Sequence, residues 1–173
     1  MGDELPNPLD TVEKFEIFTR EEWGALPPKG FKILSNRGER VIFTYDIQTD
    51  ECKTTEECAE VVRDMQKKHM DEGSDDIKYN FLIGGDYNVY EGRGWNVRPC
   101  ETLKYSAYRH KRIDFGFIGR FEGHEYVPIR MTAIAFELLR IGERCKYLED
   151  PVRINEIRGP PAYENIVHDI PGI

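Results

Sequence analysis

Apolar positions along the chain change period several times, and the changes mark its elements. In FEIFTREEWGALPP, Phe15 and Ile17 alternate with polar neighbours before the chain turns at Pro27-Pro28, which predicts a short strand and then an extended connection. FKILSNRGERVIFTYD holds two apolar runs around Asn36-Arg37-Gly38. The second run, VIFTYD, predicts a strand that surfaces at Thr44, Tyr45 and Asp46 and so delivers polar side chains at its tip. In KTTEECAEVVRDMQKKHMDEG the period becomes helical: Cys58, Val61, Val62 and Met65 share a face, Thr54 and Glu57 form a capping box, and Gly73 offers a stop. KYNFLIGGDYNVYEGRGW reads as a β-hairpin turning at Gly84-Gly85-Asp86. RIDFGFIGRF is a strand with Ile113, Phe115, Phe117 and Phe121 on an alternating face. A second helix begins near Pro128 and places Met131, Ile134, Leu138 and Ile141 on one side. After the turn residues Gly159-Pro160-Pro161, a short helix containing Tyr163, Ile166 and Val167 is expected.

Strands alternating with helices define an α/β domain with a mixed sheet, the hairpin supplying its antiparallel pair. A length of 173 residues suits one domain, 1–173, with an ordered core over about 12–171 and an N-terminal tail over 1–11. No apolar run approaches the roughly 18 residues that cross a bilayer, so membrane attachment is expected only through a segment outside this chain. The formal net charge of −8 argues against nucleic acid as a partner. One local exception is YRHKRID at 108–114, which reads either as a solvated loop or as a meeting point for a carboxylate-bearing ligand.

Four cysteines, at 52, 58, 100 and 145, contain no CxxC and have no histidine at metal-finger spacing. Their even number fits two disulfides in an oxidising compartment, with three possible pairings. A catalytic zinc needs three protein ligands and an open position for water. The four histidines, at 69, 110, 124 and 168, fall on separate elements and suggest no convergent set. His69, at the end of the first long helix, suits structural hydrogen bonding, and Asp46 suits a backbone turn better than a ligand contact. Tyr79 suits a strand aromatic filling the core beside Phe81 as readily as the groove wall that a family resemblance implies for it.

FEIFTREEWGA, the C-x5-C of Cys52 and Cys58, QKKHMDEG, DIKYNFLIGGDYNVYEGRGW and FGFIGRF occur in an order that resembles the peptidoglycan recognition protein family, relatives of phage and bacterial amidases. The match runs over nearly the whole chain. It implies a central mixed β-sheet flanked by helices and a groove for the stem peptide and sugar of a muropeptide. It also implies a Cys52–Cys58 disulfide and leaves Cys100–Cys145 as a possible second one. Gly94-Trp95 matches the pair associated in this family with diaminopimelate-type peptidoglycan, with Arg93 beside it.

Against that pattern several positions depart. In zinc-amidase members the strand corresponding to VIFTYD ends in two histidines, where this chain has Thr44 and Tyr45. A GHRD...TxCPG segment is replaced by the shorter RINEIRGPPAY. The resemblance therefore implies no catalytic residue, no bound metal and no cofactor. A GAHT segment is replaced by Pro99-Cys100-Glu101-Thr102, which puts a carboxylate where ligand-binding members have histidine, and two extra residues fall within AYRHKRID. These departures resemble the non-amidase, long-form insect receptors of the family. The expected function is an extracellular receptor domain that pairs with another recognition domain, or with the diaminopimelate-type muropeptide bound to it, in Imd-type signalling. Alternatives are direct muropeptide binding in its own groove and, more remotely, a zinc amidase. The candidate contact residues are Thr44, Tyr45, Asp46, Tyr79, Arg93, Gly94, Trp95, Glu101, Tyr108, Arg109 and Arg112. Arg109 and Arg112 are put forward to recognise an anionic group and Tyr108 to anchor an interface.

Overall fold

Six strands form one sheet in the order β1-β4-β3-β5-β2-β6 in a computed structural model that describes residues 14–100, 111–121 and 128–159. The elements in chain order are β1 (Ile17–Phe18), α1 (Arg20–Trp23), β2 (Gly38–Thr44), α2 (Thr55–Asp71), β3 (Phe81–Ile83), β4 (Val89–Glu91), β5 (Arg112–Phe117), α3 (Ile129–Arg144) and β6 (Leu148–Arg158). Only β3 and β4 pair antiparallel; the remaining neighbours are parallel, so the sheet is mixed.

Side-chain alternation divides the core between the two faces of the sheet. On one face Val41, Phe43 and Tyr45 of the β2 strand and its tip join Ile113, Phe115 and Phe117 of β5 and pack against Ile134, Ala135 and Leu138 of α3. On the other, Leu82 and Tyr90 meet Cys58, Val62 and Met65 of α2, with Trp23 beside them. The capping box at the start of α2 is present in both directions: Glu57 N–H donates to Thr54 Oγ1 at 3.2 Å, and Thr54 N–H to the Glu57 carboxylate at 3.3 Å.

Three elements differ from the sequence expectation. The connection after β1 contains α1, capped by a second box at Thr19 and Glu22 and closed by Gly24 at φ 82°. The run FKIL supplies only an isolated bridge, Ile33 to Val97, and leaves Phe31 and Ile33 exposed. The third is β6, an 11-residue strand in LEDPVRINEIR, where Pro151 and a high charge content argue against one. Val152, Ile154 and Ile157 all pack on the α3-side core. Ile154 and Ile157 are three apart, a spacing that places residues of a regular strand on opposite faces. A register shift against Val41/Ile42 absorbs the extra residue.

Further along, β5 stops at Phe117, so Phe121 lies beyond the strand, after Gly119 at φ 142°. Ile141 is only half-buried on α3. The short helix expected around Tyr163 lies outside the described residues.

Candidate functional site

The end of β2 is flanked by β5 and β6, with Thr44 opposite Gly116 on one side and Arg158 on the other. The pairing continues one residue further, where Tyr45 N–H donates to the Arg158 carbonyl at 2.7 Å. Alternation then sends the two tip side chains to opposite faces. Thr44 is buried on the α2 side. Tyr45 turns toward α3 and stacks on Phe117 with ring centroids 4.0 Å apart, while Phe121 meets it edge-on at 6.1 Å. Its hydroxyl lies 2.7 Å from Thr132 Oγ1. With 1% of its surface exposed, Tyr45 is a core residue, which corrects the expectation that it forms part of a contact surface. The physical reason is that α3 crosses directly behind the tip and covers it. Asp46, one residue on, is exposed.

Charge fills the α2-side face of β5 and β6. Arg112 Nε sits 2.7 Å from Asp114 Oδ1, and Arg112 donates a second bond to Oδ2 at 3.1 Å. Both residues are about 1% exposed. Asp114 also anchors the loop before β3, its N–H donating to Asn80 Oδ1 at 2.9 Å. Burial pushes the Asp114 carboxyl up and the Arg112 guanidinium opposes that. The sequence placed Arg112 both at the start of a strand and among the anion-recognising residues; it is the first residue of a buried strand, with its guanidinium on Asp114, which corrects the second expectation. At the other edge, Arg158 forks onto Glu156 at 3.1 and 3.4 Å.

Tyr79 connects this charged face to the α2 core. Its ring lies against Gly116, where a Cβ would come within 3.1 to 3.3 Å of three ring atoms. Burial raises the phenol pKa, the Asp46 and Asp114 carboxylates raise it further, and Arg158 works against them. Tyr79 is 8% exposed and belongs to the α2-side core, so the core-filling reading describes it.

Amidase-type zinc does not fit this tip. Thr44 offers a neutral hydroxyl in place of an imidazole, and Tyr45 directs its oxygen to α3. Among the described residues no group of three His, Cys, Asp or Glu converges.

Arg93 secures its own loop. Its guanidinium donates to the Ile77 carbonyl at 2.7 Å, to the Arg98 carbonyl at 3.2 Å and to Ser74 Oγ at 3.2 Å. Gly94 holds φ 75°, and its carbonyl accepts from Asn80 Nδ2 at 2.9 Å. Half-buried Trp95 packs on Phe81 at 4.4 Å and lies parallel to Tyr147 at 5.6 Å. Much of its apolar surface is therefore used inside the fold. His69 accepts the Lys78 N–H on Nδ1 at 3.1 Å, and burial followed by nearby Lys78 and Lys68 lowers its pKa to about 4. It is the structural histidine its position suggested.

Cys52 and Cys58 are disulfide-bonded, joining the loop after the strand tip to the first turn of α2. Cys100 is a buried thiol 3.6 Å from Ser74 Oγ, and Cys145 is an exposed thiol at the C-terminal end of α3. The possible second disulfide is thus not formed. Glu101, Tyr108 and Arg109 lie outside the described residues. Sequence reading missed Glu156 and Arg158, whose place at the tip depends on the shifted register of β6. The Ile154/Ile157 spacing was the available signal.

Several proteins are similar to this chain in sequence or in fold. The chain is 35% identical over 127 residues to a peptidoglycan recognition protein of Trichoplusia ni, covering 73% of this chain and 67% of that one. It is 31% identical over 160 residues to peptidoglycan-recognition protein LB of Drosophila melanogaster, covering 92% of this chain and 62% of that one. The chain spans only a third of the length of mouse peptidoglycan recognition protein 4, which it also matches. Among solved structures, the ectodomain complex of peptidoglycan recognition proteins LCa and LCx with tracheal cytotoxin superposes with a TM-score of 0.73 at 33% identity, over 83% of this chain and 84% of that one. No protein-family model matches. The identity over most of the chain, the shared sheet and helix arrangement and the disulfide at α2 place the protein in the peptidoglycan recognition protein family.

Proposed function

We propose that this chain is a non-catalytic recognition domain of insect innate immunity, which acts as co-receptor or regulator by pairing with another recognition domain or with the diaminopimelate-type muropeptide held there. The observation that carries this reading is the strand tip: Thr44 stands beside Arg158, and Tyr45 is folded into the core against Phe117 and Thr132. Neither arrangement supplies a metal ligand or an activated water. The solved complex of LCa and LCx around tracheal cytotoxin supports pairing as a mode of action within the family. The Cys52–Cys58 disulfide suits an extracellular location. No helix among the described residues is long and apolar enough to cross a membrane, so an anchor would come from a segment outside this chain. The residues put forward for contact are Asp46 and, in the stretch that departs from amidase relatives, Glu101, Tyr108 and Arg109. Signalling through an Imd-type pathway follows from the same reading.

Direct binding of the muropeptide in the chain's own groove is the second reading, favoured by Gly94-Trp95 with Gly94 in the left-handed conformation. Calorimetry separates the two. A diaminopimelate muropeptide titrated into the chain alone should give no saturable heat, whereas a partner domain already loaded with muropeptide should bind it. Saturable heat from the muropeptide alone selects the second reading. Metal-dependent release of stem peptides from peptidoglycan by the purified chain overturns both.

A further inference from the structure

Two hydroxyls at the tip of β2 and β5 are left over by the fold. Thr44 stands opposite Gly116 in the β2–β5 ladder. The Tyr79 ring rests on Gly116 from the same face, because it occupies the space that a Gly116 Cβ would enter. The two side chains therefore flank Gly116 on the α2 side of the sheet. Thr44 is 6% and Tyr79 8% exposed, yet neither hydroxyl makes a hydrogen bond with a described residue. Buried polar groups are ordinarily paired. Two unpaired hydroxyls on neighbouring side chains leave hydrogen-bonding capacity that an outside group can use.

Asp46 stands two residues past Thr44, on the same side by alternation, and is exposed, so this corner reaches the surface. A turn-bracing role suits its place in the sequence, but its carboxylate makes no hydrogen bond or ion pair with a described residue. It is also the charge that acts most strongly on the Tyr79 phenol. Asp114 and Arg158, which act on the same phenol, are already paired, Asp114 with Arg112 at 2.7 Å and Arg158 with Glu156 at 3.1 Å.

We propose that the Asp46 carboxylate and the Thr44 and Tyr79 hydroxyls form a site for a primary ammonium, supplied by a lysine side chain of a partner protein. A lysine ammonium has three N–H donors and no acceptor, which matches one carboxylate and two hydroxyl oxygens. A guanidinium fork is better served by two parallel acceptors, and a divalent metal by three ligands drawn from imidazole, thiolate and carboxylate, of which this corner holds one. An ammonium that adjoins its own carboxylate, as in a free amino acid, would bring that carboxylate up to Asp46. The proposal rests on the reading of Asp46 as a contact residue and adds the chemistry of what it contacts.

The test is amide NMR of the ¹⁵N-labelled chain at constant ionic strength, titrated with Nα-acetyl-L-lysine methylamide, its Nε-acetylated counterpart and meso-diaminopimelate. Saturable shifts are expected at Thr44, Asp46, Tyr79 and Gly116 with the first probe, none with the neutral second, and weaker binding of the third. Asp46→Asn, at an exposed position, should weaken the lysine probe about fivefold. Tyr79→Phe should weaken it about threefold while unfolding at no lower denaturant concentration than wild type, since the hydroxyl it removes has no partner in the fold. Equal binding of the acetylated probe, tighter binding of diaminopimelate, unchanged affinity in Asp46→Asn, or a destabilised Tyr79→Phe overturns the proposal, as does the absence of saturable shifts. Calorimetry with the loaded partner domain is a separate measurement: pairing without lysine binding removes this site and leaves the pairing standing, and lysine binding without pairing does the reverse.

Discussion

The Tyr45 hydroxyl and Thr132 Oγ1 are 2.7 Å apart, which ties the tip of β2 to the first turn of α3 through a buried polar contact. Removing one partner leaves the other without it in a buried site. Tyr45→Phe should therefore cost about 1 to 2 kcal/mol in denaturant unfolding. Tyr45→His, which restores the residue type of the amidase relatives, should cost more because it also loses the stack on Phe117, and Thr44→His with Tyr45→His should yield no zinc-dependent hydrolysis. Hydrolysis gained by that double variant would show that the tip still has room for metal chemistry.

Arg112 and Asp114 make a second buried pair, in which each neutralises the other. Arg112→Ala should destabilise by about 3 to 5 kcal/mol by stranding a buried carboxylate. Arg112→Met combined with Asp114→Leu should recover most of that loss, because the combined change removes both charges. If the single and double variants unfold at the same denaturant concentration, the pair does not act as a unit.

The pKa of His69, lowered to about 4 from an ordinary value of 6.5, makes stability depend on pH in a defined direction. Between those values the unfolded chain takes up a proton that the folded chain refuses. The contribution is fully present above about 6.5 and is lost as pH falls through 4, by roughly 3 kcal/mol in total. Asp114, whose pKa is raised, acts in the opposite sense: its contribution is present at low pH and lost as pH rises through the folded value. His69→Asn keeps an acceptor for the Lys78 N–H but cannot titrate, so it should flatten the fall in stability over this range. Identical pH profiles for variant and wild type would remove His69 as the cause.

Reduction of Cys52–Cys58 should cost about 2 kcal/mol, the loop-entropy value for a sequence separation of 6. Gly85→Ala should destabilise the same region, because a Cβ there would run into the Cys52 carbonyl. Mass mapping of thiols, combined with melting in the presence and absence of reductant, checks the first expectation. A Gly85→Ala variant as stable as wild type would mean that the hairpin turn can move away from the disulfide loop.

How much the sequence determined follows from the range of each interaction. The capping box at Thr54 and Glu57, the apolar stripes of α2 and α3 and the alternation in β2 and β5 are local patterns, and these elements form where the patterns fall. The ordered family motifs extended that reading to the fold and to the Cys52–Cys58 bridge. The orientation of the tip was not legible. VIFTYD reads as a strand that surfaces, but α3 passes behind it and takes Tyr45 into the core, and only the packing of elements some 90 residues apart decides that. Arg112 fell both in the cationic run YRHKRID and at the start of the strand RIDFGFIGRF, and the sequence did not decide between them. Its partner two positions on becomes a partner only when both sit on one buried face of a strand. For β6, Pro151 and the charged residues concealed an edge strand, and its shifted register brought Arg158 beside Thr44. Burial and register arise from contacts between distant segments, so they belong to the tertiary structure, and here they decide which of the candidate residues remain accessible to a partner.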